Sequence, residues 1–225
     1  MKAKKAAAYF ATKNAYVAMI PAVNSLAANT DIDEIHLFIE DDVFPGKLPE
    51  QCVIHNLAGQ TVFRKTGPNY ASKWTYMSMM RVMLPYFLPD LDRVLYLDID
   101  TIVTKDISEL WDLDLTGKYF AAVREPEKSR ADFIYINAGV MMMNLEQMRD
   151  GLAKEMVDLL NRHFYPCKEQ DLYSGLCQGK FILLAGDYNV SDFTDVPEYE
   201  KKIIHYAAMR MEKWYWDDLV QRYVP

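Results

Sequence analysis

An α/β fold built on a largely parallel sheet follows from three features of this 225-residue sequence. Short apolar runs alternate with longer segments of helical period, as expected where buried strands feed covering helices. Polar and acidic residues follow directly on several of these runs, at the strand ends where open α/β sheets bind their ligands. Nine glycines and ten prolines are scattered, with no repeat, low-complexity tract or Gly/Ser linker. At ~150 residues per domain the length then suits one generous domain over 1–225.

The elements read as follows. The run 6–11 is too short, and too soon interrupted by Thr12, Lys13 and Asn14, to be a signal peptide; it is the first buried strand. Tyr16, Met19, Ile20, Val23, Leu26 and Ala27 share a helix face, which Pro21 should kink unless it lies in the first turn. Strands are expected at 35–39, 52–57 and Arg93–Leu97. A second helix carries the stripe Trp74, Met77, Met80 or Arg81, and Leu84, and stops at Pro85. Further strands fall at 119–123 and 139–143. Asn144 and Gln147 form a loose capping pair, ahead of a helix with Met148, Leu152, Met156, Leu159 and Leu160 inward. Glu169 opens another helix, strands follow at 181–184 and Ile203–His205, and a last helix covers 214–223. The 13 methionines, densest at Met79, Met80 and Met141 to Met143, read as core filling.

Composition narrows function. Hydrophobic residues make up 51% and charged residues 25%, so the chain is globular and can bury a sizeable core. Twenty-five Lys and Arg against 32 Asp and Glu leave a formal charge of −7, which disfavours sequence-independent nucleic-acid binding. Cys52, Cys167 and Cys177 are odd in number and lack zinc spacing, so a reduced, cytoplasmic chain is expected. No apolar run approaches the ~18 residues needed to cross a bilayer.

Four segments carry chemistry. In LYLDIDTIV a hydrophobic strand delivers Asp98 and Asp100, which project to one side if the backbone stays extended. They either hold Mg²⁺ or Mn²⁺ as hard oxygen donors or cap a turn through their own backbone. In INAGVMMMN, Asn137 offers an amide to sugar hydroxyls and Gly139 a close backbone approach, unless the segment is a plain turn. Glu169, Gln170 and Asp171 either hold a polyol or complement a helix dipole. In KKIIHY a strand end delivers His205, a metal ligand or a structural imidazole.

Taken together, LYLDIDTIV, INAGVMMMNL, EQD, DYNV and IIHYAA resemble the family 8 glycosyltransferases, retaining enzymes that use UDP-sugars, over about residues 9–214. The resemblance implies a glycosyltransferase A-type fold, one Rossmann-like domain with a mixed, mainly parallel sheet. Residues 6–140 would bind nucleotide-sugar, and 141–225 would supply acceptor contacts and the last metal ligand. Asp98 and Asp100 match the family's DxD and His205 its third ligand, a set suited to Mn²⁺ or Mg²⁺. Ala11, Thr12, Asn14 and Tyr16 fall where the family holds uridine, with Thr12 replacing an Asp. Arg81, Ile99, Asn137, Ala138, Gly139, Glu169 and Gln170 fall at donor-contact positions, Glu169 again replacing an Asp. Gln170 and Asp171 would lie at the reacting centre. The family's closing HYxGxxKPW departs here, with Ala208 for Gly and no Pro, so Lys213 and Arg210 compete as the diphosphate clamp.

The activity so implied is metal-dependent transfer of glucose or galactose from UDP to a glycan, glycolipid or protein hydroxyl. Acceptor specificity would lie in loops 45–49, 66–73 and 125–133. The aromatic tail 214–223 either packs as a helix or rests on the inner face of a membrane. Two alternatives remain: a haloacid-dehalogenase-type phosphohydrolase using Asp98 to Thr101, whose motif normally follows the first strand, and a silent nucleotide-sugar-binding protein.

Overall fold

The computed structural model describes residues 4–71, 74–192, 194–207 and 209–225. Strand β1 (Ala6–Phe10) leads through a short turn into α1 (Tyr16–Asn29), then β2 (Glu34–Ile39) and β3 (Cys52–Asn56). Next come α2 (Tyr76–Met80), a 3₁₀ turn, α3 (Leu84–Phe87), β4 (Arg93–Leu97) and β5 (Thr101–Val103). The chain continues with β6 (Phe120–Arg124), β7 (Ile136–Asn144), α4 (Leu145–Met148), α5 (Leu152–Arg162) and α6 (Glu169–Leu176). It ends with β8 (Phe181–Leu183), β9 (Ile203–His205), α7 (Met211–Trp214) and α8 (Asp218–Gln221).

Seven strands form one sheet in the order β3-β2-β1-β4-β7-β6-β8, in which β7 runs against both neighbours and the other pairings are parallel. Successive side chains of β1 enter opposite cores. Ala6, Ala8 and Phe10 pack with α2, α4 and α5, while Ala7 and Tyr9 pack with α1. Burial on both faces explains why these strands read as unbroken apolar runs rather than as alternating ones. Met141 and Met143 fill one core and Met142 the other, as core-filling methionines should.

Several elements differ from expectation for local reasons. Pro21 lies inside an unbroken α1. Pro85 does not stop its helix but sits in the first turn of α3, where a missing N–H leaves no bond unmade. Gly151, at φ 117°, separates α4 from α5, and the expected last helix is the pair α7 and α8, with the Asp217 side chain capping α8. Asn144 caps α4 by accepting from the Gln147 amide at 3.1 Å, as the sequence indicated. Strand β5 was not foreseen: it forms with β9 a separate antiparallel ribbon in which Thr101 lies opposite His205. That ribbon, α7 and α8 pack on α1 through Ala18, Ile102, Trp214 and Val220.

The edge of the sheet holds a titratable pair. His36 Nδ1 lies 2.9 Å from His55 Nε2, and burial, reinforced by His55, pushes His36 down to about 4 despite nearby Glu34. A base whose folded pKa lies below its unfolded ~6.5 stabilises the fold fully above that value and progressively less as pH falls toward the folded one. The urea midpoint is therefore expected to fall between pH 6.5 and about 4. His36→Gln, which takes up no proton, should flatten this limb; an identical limb in the variant would refute the assignment.

Candidate active site

The strand order reverses between β1, which leads outward to β2 and β3, and β4, which leads the other way. Ligand clefts form at such switch points, beyond the carboxyl ends of the strands. Here a cleft of about 510 Å³ opens between Ala11 and Thr12 after β1 and Asp98 to Asp100 after β4, and is closed by residues of α2, β7, α6 and the chain after β9.

Asp98, Asp100 and His205 offer ligand atoms that all lie within 4.8 Å of one another. The two acids converge because the chain turns, not because it stays extended: the Thr101 hydroxyl donates to the Asp98 carbonyl at 2.7 Å. The β5–β9 register then brings in the imidazole, whose Nε2 is 3.2 Å from Asp100 and 3.7 Å from Asp98. Burial opposes charge on His205, but Asp100 and then Asp98 outweigh it and raise its pKa. Burial likewise opposes charge on Asp100, and His205 outweighs it, lowering the carboxyl. Two carboxylates and an imidazole form a mixed oxygen and nitrogen set that suits Mn²⁺.

Gly139 makes room for this cluster. It stands within β7, which starts three residues earlier than the strand expected at 139–143, beside a register shift in β6 at Ala122/Val123. A Cβ at this position would come 2.1 Å from His205 Cε1 and 2.9 Å from Asp98 Oδ2.

A hydrogen-bonded chain runs behind the cluster. His205 Nδ1 meets Asn189 Oδ1 at 2.9 Å, and Asn189 donates to Asn137 Oδ1, which also accepts from the Gly139 amide. With the Asn189 amide nitrogen committed to Asn137, its oxygen accepts from Nδ1–H, so this pattern assigns the tautomer with Nε2 toward the acids. Asn137 and Gln170 both donate to Glu125 Oε1, and Gln170 Oε1 accepts from the Ala138 amide. Such partners behind a ligating histidine are worth about 10–100-fold in metal affinity. Asn189→Ala is expected to weaken Mn²⁺ binding by that factor in calorimetry; unchanged affinity would show that His205 needs no such support.

Arg81 is buried and lines the cleft, and its guanidinium is also held by the protein itself. Its Nη2 pairs with Asp98 at 3.0 Å and its Nε with Glu169 at 3.1 Å; Nη1 donates to the Ala138 carbonyl, and the guanidinium lies 4.0 Å over the Tyr96 ring. Tyr96 also donates to Asp98. Burial raises the Glu169 pKa against the pull of Arg81, and among the described residues Glu169 Oε2 has no hydrogen-bond partner.

The other expected site residues divide. Ala11, Thr12, Ile99, Asn137, Glu169 and Gln170 line the cleft; Ala138 and Gly139 touch it through the bonds above. Asn14, Tyr16 and Asp171 do not line it. Asn14 is exposed, the Tyr16 hydroxyl is held between the Glu40 amide and Asp41, and Asp171 accepts from the Tyr135 hydroxyl and the Cys167 amide. These last bonds tie Asp171 to Tyr135 and to the start of α6, outside the cleft lining. Lys213 and Arg210 are exposed and also outside the lining, whereas Met209, Met211 and Trp214 form it. Ala208, like Ser72 and Lys73 in the loop 66–73, lies outside the described residues. Lys168 was not singled out by the sequence and only DYNV hinted at Asn189; Trp74, expected on a helix face, and Glu125, expected in an acceptor loop, both line the cleft instead.

A switch-point cleft with paired acids after the fourth strand and a late histidine defines a glycosyltransferase A-type protein, and comparison with known proteins agrees. Residues 46–214 match the model of glycosyl transferase family 8, and the chain belongs to that family. It is 29% identical to the glycosyltransferase GlyE of Streptococcus pneumoniae, over 92% of this chain and 57% of GlyE. It is 31% identical to the lipopolysaccharide 1,2-glucosyltransferase of Escherichia coli, over 44% of this chain and 33% of that enzyme. The crystal structure of galactosyltransferase LgtC with donor and acceptor sugar analogues superposes with a TM-score of 0.66 at 20% identity, covering 97% of this chain and 93% of LgtC. The chain spans about half the length of the curated relatives it matches.

Proposed function

We propose that this chain transfers a hexose, glucose or galactose, from a UDP-sugar to a hydroxyl of a glycan, glycolipid or protein, with retention at the anomeric carbon. One observation carries the reading: Asp98, Asp100 and His205 converge beside a cleft at the switch point. They would hold Mn²⁺ or Mg²⁺, which when bound neutralises charge on the departing diphosphate. The donor set and the space left by Gly139 both suit such an ion.

Ala11, Thr12 and Ile99 border the part of the cleft suited to the nucleoside, and Asn137, Glu169 and Gln170 the part suited to the sugar. The unpartnered Glu169 Oε2 supports this, because a buried acceptor without a donor is satisfied by a sugar hydroxyl. Residues 6–140 thus carry most of the donor site, and 141–225 the sugar-gripping helix, His205 and acceptor contacts. Gln170 is a neutral amide with both ends engaged, and Glu125 is held by Asn137, Gln170 and Lys128. Neither is free as a nucleophile, which favours attack on the face that the diphosphate leaves over a double displacement. The phosphohydrolase alternative is disfavoured by the family assignment, and by the position of Asp98 after β4 and not after the first strand. Among the described residues no helix is long and apolar enough to cross a membrane. A cytoplasmic location, with or without contact at the inner membrane face, is part of the proposal.

The test is a donor screen of UDP-glucose, UDP-galactose and their N-acetyl relatives with and without Mn²⁺. Release of UDP only with the cation supports the reading, and tight UDP binding without turnover would replace it with a silent binding protein. Hydrolysis of para-nitrophenyl phosphate, or mass-spectrometric capture of a glycosyl-enzyme adduct, would overturn the activity or the route respectively.

A further inference from the structure

Lys168 combines two features that rarely occur together. Its backbone is at φ 49° and ψ −124°, the first central position of a type II′ turn, which glycine holds without strain and other residues do not. Among the described residues it is the one non-glycine with positive φ. The turn closes through the Gln170 amide on the Cys167 carbonyl at 3.1 Å. Its side chain is 1% exposed, so an ammonium has been taken out of water. That ammonium donates to two consecutive carbonyls, Trp74 at 2.6 Å and Thr75 at 2.7 Å. A glycine would relax the backbone, so what the lysine adds is its side chain.

The contacts form a closed circuit. Thr75 precedes α2, the chain from α2 leads straight into Arg81, Arg81 pairs with Glu169, and Glu169 follows Lys168. Trp74, Lys168, Glu169 and Gln170 all line the cleft. We propose that Lys168 is a positioning residue, a brace that sets the sugar-gripping pair Glu169 and Gln170 against the cleft wall at Trp74 and Thr75. The strain of the turn is the local counterpart of that alignment. This rests on the donor reading above.

Lys168→Gly separates the brace from the fold, because it removes the ammonium while relaxing the turn; Lys168→Met removes the ammonium and keeps the strain. With UDP-glucose, UDP-galactose and Mn²⁺ as probes, the Gly variant should melt no lower than wild type and bind UDP within about twofold of it. Its kcat for Mn²⁺-dependent donor hydrolysis should fall about tenfold or more at unchanged KM, with a narrowed preference between the two hexoses. The Met variant should lose melting temperature as well. A Gly variant with wild-type kcat and hexose preference overturns the brace while leaving the donor reading intact. A wild-type chain that binds no UDP in the presence of Mn²⁺ overturns the donor reading, and the brace with it.

Discussion

Replacing Gly139 with alanine is expected to lower kcat/KM by about 10²-fold or more, the scale of a 1 Å displacement in a reacting site. The reason is space and not backbone freedom, since Gly139 is not among the positive-φ glycines. The added methyl would sit 2.1 Å from His205 Cε1 and 2.7 Å from its Nδ1. Neither side yields cheaply. Gly139 is fixed in β7, its carbonyl accepting the Asp98 amide at 2.7 Å, and the ring is buried and held by Asn189. The ring must therefore swing away from Asp98 and Asp100. Mn²⁺ affinity should fall together with turnover, while circular dichroism stays that of the wild type. An alanine variant with undiminished Mn²⁺ affinity would show that the site has slack, which the packing denies.

The second large effect concerns stability. Arg81→Met leaves Asp98 and Glu169 without the cation that both face, and breaking a buried ion pair by removing one partner costs about 3–5 kcal/mol. The loss should depend on pH in a defined direction. Burial already raises Glu169 in the native protein, and Arg81 is the chief opposing influence, so its removal lifts the carboxyl further. A carboxyl whose folded pKa lies above its unfolded value destabilises the fold as pH rises and ceases to do so once protonated in both states. Urea midpoints should therefore separate the variant from wild type more at pH 8 than at pH 5. A deficit independent of pH would mean that Arg81 matters through packing on Tyr96 rather than through its charge.

How much could be read beforehand depended on whether a residue's role was local. Strands β1, β2 and β4 were legible because both faces are buried, and their apolar runs therefore have no gaps. Strand β5 was not: Thr101–Val103 spans three residues, and it is a strand only by pairing with β9 about a hundred residues later. Of the stripe 74–84, Met77, Met80 and Leu84 had the right face, but Trp74 lies exposed ahead of α2 and the helix is not continuous, because Pro85 can begin a helix as readily as end one. In the site, Asp98, Asp100 and His205 were visible as polar residues placed at the ends of apolar runs. Asn189, Glu125 and Lys168 work through contacts with distant segments, and a single polar residue in a loop carries no periodic signal. Asn14, Tyr16 and Asp171 show the opposite case, where matching a motif did not place the side chain in the cleft.

The β5–β9 ribbon also has a consequence for when the site comes into being. All but one of the polar groups around the paired acids are made by the time residue 189 has left the ribosome, and the sheet itself is complete at Leu183. The imidazole arrives last, on a three-residue strand that pairs with the equally short segment after the acids and bridges to Val190. A nascent chain halted before residue 203 thus owns the full sheet but only two of its three candidate ligands. In chain order the third candidate ligand therefore follows every strand of the main sheet, instead of growing in with it.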